Sequence, residues 1–181
     1  MLYVGLDHSL TAFGIAAVPT GWGNDFRRVR RATLGTKPGA SVVHRRASLA
    51  RDLIQWLTWA AASEGLPMTS VRVFAEGGIF MRGKSETIRS QERLVGVLEH
   101  ELDVCIGIEL EQIEQRHART VFMGSALSGG RGAGDAAQEL LLAVLPDPDA
   151  WFEAELDAFI VANAALCDAG EAFVSVAPEA A

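Results

Sequence analysis

The hydrophobic period of this chain changes near residue 41, and that change decides which folds are open to it. Upstream, apolar residues recur at every second position. Leu2, Val4 and Leu6 alternate with Tyr3, Gly5 and Asp7, and Phe13 to Val18 forms a second β-type run beyond the turn-like His8-Ser9-Leu10-Thr11. A third strand, Val29 to Leu34, follows the turn Gly21-Trp22-Gly23-Asn24, so three successive antiparallel strands are expected at the N-terminus. From Ser41 to Ser63 the recurrence is helical: Leu49, Leu53, Trp56, Leu57 and Ala60 share one side, with Arg45, Ser48, Asp52 and Gln55 opposite. Trp56 and Trp59 are read as core residues, because aromatics at helical spacing on an apolar face are usually buried.

Strand and helix then alternate. Gly65 and Pro67 end the first helix, and Val71 to Ala75 makes a short strand that delivers Glu76 at its C-terminal end. After a glycine-containing loop, Gly77 to Lys84, a helix is expected from Ser85, as N-cap, to Leu102, with the stripe Ile88, Leu94, Val95, Leu98 and Leu102. A strand is read at Val104 to Ile113, followed by a polar segment, Glu114 to Arg119, and a short apolar piece, Val121-Phe122-Met123. Beyond the glycine-rich Gly124 to Gly134, helices are expected at Ala136 to Val144 and Ala150 to Leu166, and the tail from Gly170 is expected to fray. The 181 residues suit one core, giving a domain over 1–169 and a tail over 170–181. The pattern is that of an α/β fold, a mixed sheet with helices on its faces.

With 49% hydrophobic and 22% charged residues the chain is neither disordered in composition nor apolar enough to cross a membrane. The opening Met1-Leu2-Tyr3-Val4-Gly5 has no basic region of the kind that precedes an export signal, so a cytoplasmic address is expected. Cys105 and Cys167 are too few for a disulfide scaffold and are read as reduced, buried thiols. The net charge of −7 conceals an asymmetry: residues 1–131 carry all 16 Lys and Arg against 13 acids, whereas 132–181 carry 10 acids and no base. Half of the basic residues lie between Arg27 and Arg51, a density compatible both with phosphate contacts and with a solvated face.

Three acids fall where acids are awkward: Asp7 and Glu76 at strand ends and Asp157 in the last apolar helix. Carboxylates that converge at the end of a buried sheet must lose hydration or gain a partner, and divalent cations with oxygen ligands, Mg²⁺ or Mn²⁺, satisfy several at once. For each acid taken singly, a turn cap, helix-end charge or surface acid is the commoner role; the combination is what points to metal.

The segment Gly5-Leu6-Asp7-His8-Ser9-Leu10-Thr11-Ala12-Phe13-Gly14-Ile15-Ala16 resembles the opening motif of RuvC-like Holliday junction resolvases, closest to the phage-type form. Phe74-Ala75-Glu76-Gly77-Gly78-Ile79-Phe80 resembles the second block of that family and Leu156-Asp157-Ala158-Phe159-Ile160-Val161-Ala162 its last, in family order. The resemblance spans Leu2 to about Leu166. It implies an RNase H-like five-stranded sheet, three antiparallel N-terminal strands and then parallel ones, flanked by helices. It also implies a homodimeric endodeoxyribonuclease that cuts four-way or other branched DNA in a bacterial cell or phage-infected host, with two metal ions and no organic cofactor. By the same analogy Asp7 bridges the metals, with Glu76 on one and the last-helix acids on the other. Serine catalysis has no comparable support: His8 adjoins Asp7, but successive strand side chains point to opposite faces, and Ser9 is read as a turn hydroxyl.

The chain departs from the family pattern twice. Ala154 stands where an acid, histidine or asparagine usually precedes the last-helix Asp, and no lysine lies near Gly134-Asp135, where Arg131 is the nearest substitute. Glu153 and Glu155 contend for the fourth ligand. At 3.6 residues per turn, position i−4 lies about 40° from Asp157 and position i−2 about 160° away, which selects Glu153 and leaves Glu155 facing solvent. Expected DNA contacts are Arg82, Lys84, Arg89, Arg93, Arg119 and Arg131 with the segment Arg27 to Arg31, and the resemblance implies Phe80 as a wedge against the bases, with an ordinary buried Phe as the equal alternative. Ile88, Leu94, Leu98 and Leu102 form either a dimer interface or part of the core. Two alternatives stand beside the nuclease: a branched-DNA-binding module of this fold that does not cut, and a RuvX-like RNA-processing nuclease. An actin-like ATPase or sugar kinase would need about twice this length.

Overall fold

The N-terminal alternation produces β1 (Leu2–Asp7), β2 (Phe13–Pro19) and β3 (Arg30–Leu34), antiparallel in succession. The computed structural model describes residues 1–37, 39–77, 86–125, 127–129 and 132–176, with backbone alone at 86–88. β4 (Val71–Gly77) pairs parallel with β1, and β5 (Leu110–Glu114) pairs parallel with β4, so the sheet order is β3-β2-β1-β4-β5. The expected mixed five-stranded sheet is therefore present.

Each face has its own core. Leu2, Val4, Leu6, Val73 and Ala75 point to the side covered by α1 (Val42–Ser63) and α2 (Glu86–Ile106). Tyr3, Ala16, Val18 and Phe74 point to the other, covered by α3 (Gln115–Met123), α4 (Ala133–Val144) and α5 (Glu153–Asp168). Leu94, Leu98 and Leu102 are almost completely buried in the α1/α2 core, so they serve this chain's own packing rather than a dimer interface; the side chain of Ile88 lies outside the described residues.

α5 is buried nearly all round and lies directly on β1 and β2. Two glycines permit this approach: a Cβ on Gly5 would sit 2.0 Å from the Ala158 carbonyl oxygen, and one on Gly14 1.9 Å from that of Ala154. Because both obstacles are backbone, Gly5→Ala is expected to push α5 off the sheet, at a cost of about 1–3 kcal/mol, and to lower the denaturant midpoint.

Several sequence expectations need correction. The Val104 to Ile113 strand is in fact the end of α2 and then β5; Gly107, at φ +65°, closes the helix with its N–H on the Asp103 carbonyl. The polar segment and the apolar piece after it are one helix, α3, too short for three buried residues, Ala118, Phe122 and Met123, to show a clear period. The last helix begins at Glu153, because Pro148–Ala150 forms a separate 3₁₀ turn. Trp59 is 54% exposed and Trp56 half-buried, as the pair lies toward the outer side of α1. Cys105 is exposed and Cys167 partly so; neither is a buried thiol.

The start of the tail does not fray. Asn163, fully buried in α5, donates Nδ2–H to the Val174 carbonyl at 2.8 Å and accepts the Val174 N–H at 2.7 Å. Trp22 Nε1–H donates to the Ala172 carbonyl, and the Val176 N–H to that of Phe122. Among the described residues no helix is long and apolar enough to cross a membrane.

Candidate metal centre

Asp7 closes β1 and Glu76 stands near the end of β4. Each follows a residue that faces α1 and α2, so both point to the α5 side, and the Leu6–Ala75 register brings them onto adjacent strands. Asp157 and Glu153, one turn apart on α5, supply charge from above the same sheet end. The four carboxylates are close enough to disturb one another. Burial, and behind it the charges of Asp157, Glu76 and Glu153, push the Asp7 carboxyl up to about 7. Glu76 is raised by burial and then by Asp157; Asp157 is raised by burial and, more weakly, by Glu153 and Asp135.

Three side chains oppose that repulsion. Gln138 on α4 donates Nε2–H to Asp157 Oδ2 at 2.9 Å, Gln115 at the start of α3 hydrogen-bonds to Glu76, and Arg119 on α3 draws both Glu76 and Asp157 downward by its charge. Arg119 passes so near α4 that a Cβ on Gly134 would lie 3.0 Å from its Nη2. Sequence reasoning put Arg119 on the DNA surface and overlooked both glutamines. Recognition of α3 as a helix would have exposed two of the three, since Gln115 and Arg119 are spaced i, i+4 on one side of it.

Glu155 departs from its expected solvent position and is only 4% exposed. It accepts the Phe152 N–H at 3.3 Å, closing the N-terminus of α5, and receives Thr33 Oγ1–H at 3.3 Å, with Arg31 Nε 3.5 Å away. Arg31 in turn donates to the Ala150 carbonyl and stacks on Trp151, 4.5 Å from its ring centre. β3 thus grips the start of α5, and this grip sets the direction in which Glu153 and Asp157 project.

Of the expected DNA contacts, Phe80, Arg82, Lys84 and Arg131 lie outside the described residues, as does the Ser85 cap. Arg89 and Arg93 are exposed on the first turns of α2. Arg27 to Arg31 do not form a free basic strip. Arg27 pairs with Asp25, Arg28 and Arg30 with Glu64, and Arg31 with Glu155. Arg30 pairs in register with Ala17, opposite Val4, so Arg27 to Arg30 lie toward the sheet end remote from Asp7. Ser9 is the expected turn hydroxyl, accepting the Thr11 and Ala12 N–H groups. His8 is 8% exposed, and its buried Nδ1 has no hydrogen-bond partner.

The donor set suits a hard divalent cation, being four carboxylates with no thiolate or imidazole among them, and their mutual repulsion is what such a charge relieves. Among the described residues no three acidic, histidine or cysteine side chains are drawn together tightly enough to grip an ion as they stand.

No family model matches the chain, and no curated protein does. Solved structures do. The chain is similar to Thermus thermophilus RuvC in complex with a Holliday junction substrate, at 12% identity and a TM-score of 0.66, over 94% of this chain and 97% of that one. It is similar also to a second Thermus thermophilus RuvC structure, at 15% identity and a TM-score of 0.62, over 96% and 99%. The chain has the RuvC fold, an RNase H-like mixed sheet flanked by helices, along nearly its whole length.

Proposed function

We propose that this protein is a divalent-metal-dependent endonuclease that cuts four-way or related branched DNA. The observation that carries this reading is the convergence of Asp7, Glu76, Asp157 and Glu153 at one sheet end of a fold shared with a junction-bound RuvC. Asp7 and Glu76 would hold Mg²⁺ or Mn²⁺ from the strands, with Asp157 and Glu153 holding it from α5. Such ions supply an activated water on one side of the phosphorus and stabilise the leaving oxyanion on the other. Gln138 fixes the Asp157 carboxylate, Gln115 fixes that of Glu76, and Arg119 brings positive charge beside them for the incoming phosphodiester. Arg89 and Arg93, with Phe80, Arg82, Lys84 and Arg131 beyond the described residues, meet the flanking backbone and bases. A homodimer, in the cytoplasm, is the assembly that a two-fold junction calls for; light scattering at micromolar concentration should give twice 19.4 kDa.

The test uses labelled four-way junction, plain duplex and structured RNA, with and without Mg²⁺ or Mn²⁺. Metal-dependent paired nicks in the junction are expected. Binding without cutting would make this a junction-recognition module, and preferential cutting of RNA would move it to RNA processing.

Glu153 and Glu155 separate ligand from scaffold. In a Mn²⁺ titration of cleavage, Glu153→Gln should require more metal at nearly unchanged stability. Glu155→Gln weakens the buried grip on α5 and should cost about 1–3 kcal/mol in unfolding free energy. A higher metal requirement in Glu155→Gln alone would reverse the assignment.

A further inference from the structure

A second polar concavity lies beyond the carboxylates. It is a cleft of about 270 Å³ between the segment that follows β3 and the first three turns of α1, with Thr36 and Lys37 on one wall and His44, Arg45, Ser48 and Asp52 on the other. Arg45 is anchored in its wall by two hydrogen bonds. Its Nε–H donates to Thr36 Oγ1 and its Nη2–H to the Leu10 carbonyl, both at 2.6 Å. These acceptors are neutral, so they fix the guanidinium without cancelling its charge. Lys37 is exposed; its carbonyl accepts the Ala40 N–H, and its ammonium has no hydrogen bond or ion pair among the described residues. The one acid in the cleft, Asp52, is seven residues beyond Arg45, about 10 Å further along the helix axis, and is engaged by Ser48 Oγ–H. The mouth therefore holds two cations on opposite walls, and the Ser41-capped N-terminus of α1 adds its dipole in the same sense.

The cleft belongs to the same end of the sheet as the carboxylates. β3 ends at Leu34, in register with Phe13 at the start of β2, and the turn that Arg45 holds by the Leu10 carbonyl begins directly after Asp7. Leu10 is three residues past Asp7, so the guanidinium lies no more than about 13 Å from the Asp7 backbone. The rise of about 3.4 Å per nucleotide runs along the duplex axis and the winding of the strand adds to it, so that span reaches no further than about two nucleotides.

We propose that this cleft receives a backbone phosphate of the DNA strand being cut, within about two nucleotides of the scissile bond, between Lys37 and Arg45. The inference rests on the nuclease reading and adds to it a direction for the strand: across the end of the sheet from β1 over β2 toward α1. The ligand is a phosphodiester in a chain rather than a free anion, because the cleft is open, its outer cation stands on an exposed loop, and it adjoins the carboxylate end.

The test is a cycle on the full-length protein with a four-way junction in Ca²⁺, followed by fluorescence anisotropy at several salt concentrations. Lys37→Ala should lower the slope of log K against log[salt] by about 1. A neutral methylphosphonate at the first or second linkage from the cut should weaken wild-type binding in the same way and leave Lys37→Ala unaffected, giving a non-additive cycle. Junction binding with an unchanged slope in Lys37→Ala, or additive losses, would overturn this inference while leaving the nuclease reading intact. An absence of DNA binding would overturn both. Thermal stabilisation of wild type but not Lys37→Ala by inorganic phosphate, with no effect of Lys37→Ala on DNA affinity, would mark a free-anion site and overturn it as well.

Discussion

Asp7→Asn should abolish junction cleavage while leaving junction binding equal or tighter. Asp7 meets the charges of Asp157, Glu76 and Glu153, as Asp157 meets those of the other three, so these two stand at the centre of the group rather than on its rim. Groups that only orient a metal ligand are commonly worth 10 to 100-fold in metal affinity or activity, so loss of a central ligand should cost at least about 100-fold. Affinity moves the other way because DNA is a polyanion and the substitution removes a negative charge from the surface it meets. Single-turnover nicking in Mg²⁺ gives the first quantity and anisotropy in Ca²⁺ the second. A variant that nicks at the wild-type rate would exclude the site, and one that loses binding and cleavage together would show that Asp7 acts through the fold.

The sheet and the carboxylates were legible for a local reason. In a strand, the direction of each side chain follows from its neighbours, so the burial of Leu6 and Ala75 on one face sends Asp7 and Glu76 to the other. Helical spacing likewise put Glu153 with Asp157. Glu155 was misread because its role depends on where α5 begins. As the third helical residue it turns back to the Phe152 N–H, and its other partners, Thr33 and Arg31, belong to a strand remote in sequence. The arginines show the same limit. Basic density near Arg27 to Arg31 suggested phosphate contacts, yet Glu64 and Glu155 neutralise most of them, whereas Arg119, with only Arg116 and His117 near it in sequence, stands beside the acids. Charge along a chain gives the number of cations and not their partners, which are set by tertiary packing. The alternation that sends Glu76 across the sheet equally could not reveal Gln138, whose contact with Asp157 requires α4 to cross α5 at one particular height.

The second large effect concerns the protein freed of divalent ions by a chelator. In the folded chain the Asp7 carboxyl is held up to about 7 against an ordinary 3.8, so between these values the native state keeps a proton that the unfolded chain releases. Unfolding is then favoured progressively as the pH rises from about 4 to about 7, and the penalty is complete above that. At about 1.4 kcal/mol per pH unit the interval corresponds to a ceiling of ~4 kcal/mol, of which Asp7→Asn should recover about 2–4 kcal/mol at pH 8. For a chain of this length that is a rise in Tm of about 5–15 °C. At pH 4 the group is protonated in the folded chain and only partly ionised in the unfolded one, so little of the penalty has developed and the two proteins should melt nearly together. Added Mn²⁺ should reverse the order at pH 8, because the cation stabilises the native wild type by mass action and binds the variant poorly. Melting curves of both proteins at pH 4, 6 and 8, with chelator and with Mn²⁺, check all of this. Parallel pH profiles in chelator would mean that Asp7 is not held against its neighbours' charge, and equal stabilisation of both proteins by Mn²⁺ would place the ion elsewhere.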